Sequence, residues 1–141
     1  MKYTIILFCS MIGFAGDDPI NQSLLGVAVK GYDMVAYFTQ HKPVKGSSSY
    51  KHTWKDAQWR FSSQENLDLF KANPEQYAPQ YGGYCAWAVA HNSTAGIDPK
   101  AWKIIEGNLY LNYSLKIQKQ WSEDIPGYIE KADANWPAVI Q

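Results

Sequence analysis

The chain has 141 residues, 46% of them hydrophobic and 15% aromatic, with 13 basic and 13 acidic side chains. A formal net charge of zero excludes nucleic-acid binding through bulk electrostatics, because there is no cationic excess to neutralise a phosphate backbone. The length is that of one ordinary domain, and the aromatic content is enough to build a core without disulfide staples.

The first fifteen residues, MKYTIILFCSMIGFA, place a lone lysine before an apolar run and then small residues, the pattern of a secretory signal cut near Ala15. The run is too short to span a bilayer. The expectation is a periplasmic or secreted protein with no transmembrane segment in its mature form. Cys9 lacks the full preceding apolar run and small residues of a lipoprotein signal, so it leaves with the leader. Loss of Lys2 then leaves 12 basic and 13 acidic side chains, a net of −1. Cys85 remains as a lone cysteine that no intramolecular disulfide can use. In an oxidising compartment such a thiol is either sheltered or employed.

Residues 16–24, GDDPINQSL, read as a polar lead-in, with the domain running over 25–141. LGVAVKGYDMVAYF mixes small, β-branched and aromatic residues around Gly31, which predicts two short extended pieces joined at a bend. HKPVKGSSS is a loop. YKHTWKDAQWRFSS alternates Tyr50, His52 and Trp54, breaks at KDAQ and resumes with Trp59 and Phe61, the pattern of a β-hairpin. Ser63 then caps a helix over QENLDLFKAN, with Glu65 and Asp68 toward its positive end, and Pro74 opens a second short turn. WKIIEGNLYLNY carries EGN between two β-rich runs and predicts a second hairpin. SLKIQKQWSEDI starts on a serine and predicts a helix ended before Pro126, followed by a last short helix in GYIEKADANW. The expected fold is one small α+β domain, two β-hairpins forming an antiparallel sheet packed against short helices.

Cys85 sits in YGGYCAWAVAH. If this stretch is helical, Gly82 and Gly83 lie at its mouth and Cys85 falls in the first turn, where free backbone N–H groups stabilise a thiolate. The same helix also makes Cys85 a small hydrophobe on an apolar stripe. His91 is six residues on, a helical rotation of about 600°, which leaves the two side chains far apart on the surface; as a strand they lie roughly 20 Å apart. A metal at Cys85 therefore needs further ligands from elsewhere, with His41, His52 and the acidic side chains as suppliers. In GYDMVAYF, Asp33 between Tyr32 and Tyr37 has two readings, a ligand-binding or proton-accepting carboxylate and a turn former beside glycine. No G-x-S-x-G, phosphate-cradling glycine loop, H-E-x-x-H or paired-cysteine motif occurs.

GYDMVAYF, WRFSSQENLDLFKANPEQYAPQYGGYCAWAVA and WKIIEGNLYLNY with DIPGYIEKADANWP together resemble the exported bacterial proteins that carry a YHS domain, in a long form. The resemblance spans nearly all of the chain after the leader and implies metal binding, copper above all and zinc by analogy with short modules. Those short modules begin Asp-Pro-Val-Cys and end their hairpin in Phe-Cys, with another cysteine four residues on. The matching positions here are Asp33, Met34, Val35 and Ala36, then Phe61, Ser62 and Asn66, so all three thiolates are missing. Alanine cannot ligate, and serine and asparagine are poor substitutes for the sulfurs that hold zinc or Cu(I).

Three functions follow as expectations. The first is metal handling, with Cys85 and His91 as metal candidates and copper favoured for a soft thiolate. A non-catalytic module that takes a small molecule or a protein in an aromatic pocket is the second, with Tyr32, Asp33, Tyr37, Tyr84 and Trp87 as its ligand-binding candidates and Cys85 merely packed. The third is a single-thiol enzyme with Cys85 as nucleophile.

Overall fold

The computed structural model describes residues 17–141; the leader and Cys9 lie outside the described residues. Short helices surround two hairpins. A 3-10 turn at Val29–Gly31 precedes α1 (Ala36–Thr39), and the first hairpin pairs β1 (Ser47–Trp54) with β2 (Ala57–Phe61). Next come α2 (Gln64–Ala72), α3 (Pro74–Tyr77) and α4 (Ala86–Ala90). The second hairpin pairs β3 (Trp102–Ile105) with β4 (Asn108–Leu111), and α5 (Leu115–Trp121), α6 (Ile125–Asn135) and a 3-10 turn at Ala138–Ile140 follow. This is a small α+β fold. The hairpins do not join into one antiparallel sheet, however: each is its own two-stranded sheet, and helices and turns fill the space between them.

Local chemistry explains most of these elements. Ser63 and Ser114 accept hydrogen bonds from the N–H groups of Asn66 and Ile117, each at 3.1 Å, and so start α2 and α5 as serine caps. Both hairpins turn on two residues with positive φ, Lys55 and Asp56 in the first and Glu106 and Gly107 in the second, which matches the strand twist. The expected extended pieces around Gly31 do not form. Residues 27–32 make only isolated bridges, and the chain turns into α1 because Asp33 Oδ1 accepts from the N–H groups of Val35 and Ala36. The lead-in is tied to the domain as well. Ile20 is buried, and Asn21 donates through its backbone and side-chain amides to the carbonyls of Gly82 and Gly83. Gly82 permits this approach, since a Cβ there would collide with the Pro19 carbonyl.

Two apolar clusters result. The first holds Met34, Val35, Tyr37, Trp59, Phe61, Phe70, Leu109 and Leu111. Phe70 is its hub, with ring centroids 5.0 Å from Phe61, 5.2 Å from Trp59 and 5.7 Å from Trp54. The second cluster gathers Tyr81, Ala86, Val89, Tyr110, Trp121 and Ala132, with Trp136 packed against it. Trp87 touches both clusters.

Candidate functional site

The first site-like feature is a buried carboxylate. Asp33 is fully buried, and both its oxygens are occupied. Oδ1 accepts from the N–H groups of Val35 at 2.9 Å and Ala36 at 3.1 Å. Oδ2 accepts from Ser62 N–H at 2.8 Å, Ser62 Oγ–H at 2.7 Å and Asn66 Nδ2–H at 2.9 Å. Ala36, Ser62 and Asn66, the three positions that the resemblance noted above matches to cysteine in short modules, all converge on Asp33. A zinc or copper ion does not fit. The hub contains no sulfur, its carboxylate is saturated with donors, and the groups around it point N–H and O–H bonds inward where a cation needs lone pairs. Asp33 is thus an internal organiser, not an open ligand-binding group.

The second feature lies at the start of α4. Cys85 is the N-cap residue of this helix, just outside the first turn in which it was expected, and it is 1% exposed. Its thiol donates to Asn112 Oδ1 at 3.5 Å, and its sulfur accepts from Tyr113 N–H at 3.2 Å. Burial pushes the Cys85 thiol up, although the N–H groups of Ala88, Tyr113 and Trp87 pull it back toward ionisation. The helix mouth therefore acts as expected in sign, but burial outweighs it and the thiol stays protonated. Asn112, itself 1% exposed, also accepts from Trp87 N–H at 3.0 Å, while its Nδ2 is buried without a protein partner.

Cys85, Trp87 and His91 line one groove of about 260 Å³, together with Ala88, Ala95, Tyr113 and Ile117 among others. Cys85 and His91 flank α4, which ends at Ala90. His91 then folds back, its ring stacked 3.9 Å from that of Trp87 and its Nδ1 2.7 Å from the Trp87 carbonyl. A carbonyl only accepts, so Nδ1 carries the proton in this contact and a neutral ring has its lone pair on Nε2.

The other expected residues lie elsewhere. Tyr37 is fully buried in the first cluster, its ring tilted against that of Trp102 and its hydroxyl donating to the Pro99 carbonyl at 2.7 Å. Tyr32 packs against the same cluster. Tyr84 packs with Trp136 in the second cluster and donates to the Asp18 carbonyl; burial, with Asp17 and Asp18 nearby, pushes its phenol up to about 12. A shared aromatic pocket of Tyr32, Tyr37, Tyr84 and Trp87 is therefore not assembled. Sequence reasoning missed Asn112, Tyr113 and Ile117. The one local signal for Asn112 was a polar residue closing the apolar run NLYL. His41 and His52 join no cluster of three or more metal-ligating side chains among the described residues.

Two outcomes test this geometry. Replacing Asp33 by Asn sets an amide donor against existing donors and is expected to cost about 3 kcal/mol or more in urea unfolding; a loss below about 1 kcal/mol would show that the hub is not holding the fold. Native Cys85 is expected to react with a disulfide reagent at pH 7 at least about a hundredfold slower than in the unfolded chain. Because its folded pKa is raised, the stability it contributes is intact below the ordinary thiol value of about 8.5 and is lost as pH rises through the folded value. Cys85→Ala should flatten that slope.

Among the comparisons with known proteins, the searches of curated proteins and of solved structures give no match. The family model described as the YHS domain matches residues 35–81. That span covers about a third of the chain, from just after Asp33 through the first hairpin, α2 and α3, and it ends at Tyr81, before Cys85. With Ala36, Ser62 and Asn66 inside the match and gathered on one carboxylate, the chain carries a YHS domain whose inner hub is built from hydrogen bonds.

Proposed function

We propose that this protein is a non-catalytic binding module that takes a small, flat, largely apolar molecule in the groove over Cys85. The observation that carries the reading is the convergence of Cys85, Trp87 and His91 on that groove. The Trp87–His91 stack offers a flat wall, and Ala88, Ala95 and Ile117 add apolar surface. The volume of about 260 Å³ suits a ligand of one or two rings. A protonated, hydrogen-bonded thiol in the wall is a packing group, which argues against a nucleophile.

A specific observation favours a second reading, metal handling with Cu(I) as the ion. Cys85 and His91 share the groove, and the Nδ1 contact leaves His91 Nε2 available as a ligand. That reading requires the Cys85 proton to be displaced against its raised pKa.

Titration separates the two. Indole and p-cresol are expected to shift tryptophan fluorescence saturably in the native protein and about tenfold more weakly in Ala95→Phe, which fills the groove. Under the same reading, anaerobic Cu(I) and Zn(II) titrations look alike for the native protein and Cys85→Ser. Stoichiometric Cu(I) binding that disappears in both Cys85→Ser and His91→Ala would install the metal reading in its place.

Export to the periplasm or outside the cell is part of the proposal and rests on the apolar leader of the first fifteen residues. N-terminal sequencing of the protein from its native host should start near Gly16. A retained Met1 would remove this part.

A further inference from the structure

A second, larger groove, of about 700 Å³, follows the seam between the two apolar clusters. Trp54 at the end of β1 belongs with the first cluster, whereas Tyr81 and Trp136 belong with the second. All three line the groove, as do Lys55, Glu75 and Asp133. We propose that this groove binds a small organic cation, a primary or quaternary amine, held against Trp54 and Trp136 and balanced by Asp133 and Glu75.

Four observations support that chemistry. Indole faces attract cations through the ring quadrupole. Trp54 already accepts one, with Lys55 Nζ 4.7 Å from its ring centroid. The acidic side chains lining the groove outnumber the basic ones, since Lys55 is the basic residue there and its ammonium is engaged on Trp54. Asp133 is also oriented: Tyr81 O–H donates to its Oδ1 at 2.8 Å. The fold holds Tyr81 at φ +59°, a left-handed conformation that a bulky residue rarely adopts, and so places the phenol over α6. Burial, with the Asp133 carboxylate, pushes that phenol well above the usual tyrosine range and keeps it a donor. The volume lies within the range of small-molecule sites. An anionic ligand would face both carboxylates and displace the one ammonium from its ring.

The test uses the full chain with choline, n-butylamine and 3,3-dimethylbutan-1-ol, the neutral isostere of choline, followed by tryptophan fluorescence and ligand-observed NMR. The cations are expected to saturate the protein, with choline bound about tenfold more tightly than its isostere. Asp133→Asn keeps an acceptor for Tyr81 but removes the charge, and the Asp133→Asn/Glu75→Gln double variant should weaken choline about tenfold at an unchanged melting temperature. Lys55→Gln should strengthen it, because the resident cation leaves Trp54. Equal affinity for choline and its isostere would overturn the proposal. So would an unchanged choline affinity in the double variant, or no saturable binding of either cation by about 20 mM.

Discussion

Everything in the first half of the molecule depends on the hydrogen bonds to Asp33. A carboxylate taken wholly out of water costs several kcal/mol unless its lone pairs are met. Five donors meet them here, from the turn before α1, from the residue after β2 and from α2. The hub therefore fixes the mutual placement of those elements as a bound ion would, with the charges reversed. Thiolate ligands around a cation couple folding to metal supply and to ligand deprotonation. A carboxylate surrounded by chain donors has no such dependence, so this domain reaches its fold without an ion at that position.

Asn112 plays a similar part in the second half. Its backbone N–H donates to the Ala101 carbonyl and its own carbonyl accepts from Asp98 N–H, while its side chain takes the Trp87 N–H and the Cys85 thiol. It thus links the segment after β4 to the start of α4 and sets the depth at which Cys85 sits below its groove. The Cys85 sulfur in turn accepts from Tyr113 N–H. The thiol is one member of a local network and is 1% exposed, so a lone cysteine here is sheltered without a disulfide partner.

The legible parts of the fold were those with local causes. Ser63 and Ser114 announce their helices because a cap acts within one turn, and both hairpins are marked by their alternating strands and turn residues. The stretch around Gly31 was misread because α1 is imposed by the capping of Asp33, and that carboxylate is held by Ser62 and Asn66, far along the chain. The candidate groove was half legible. Cys85, Trp87 and His91 stood out by residue type, but their convergence depends on where α4 stops, and that is settled by the backbone bonds from His91 N–H to the carbonyls of Trp87 and Ala88. Nothing near Asn112 in the sequence announces that its amide reaches Cys85 and Trp87.

The extent of the family match bears on what can be carried over from it. The groove over Cys85 is lined by residues from 85 to 117, all beyond the matched span of 35–81. The larger groove is lined from both sides of that boundary, with Trp54 and Tyr81 inside the match and Asp133 and Trp136 beyond it. The second apolar cluster, apart from Tyr81, is likewise built from residues after the match ends. Hence the matched span supplies Ala36, Ser62 and Asn66 to the carboxylate of Asp33, which lies just before it, while both concave surfaces draw on residues that follow the match. Within the matched span, the inward-facing groups of Ala36, Ser62 and Asn66 are already used to hold Asp33. The groove over Cys85 therefore belongs to residues beyond the match, and the larger groove to the seam between those residues and the matched span.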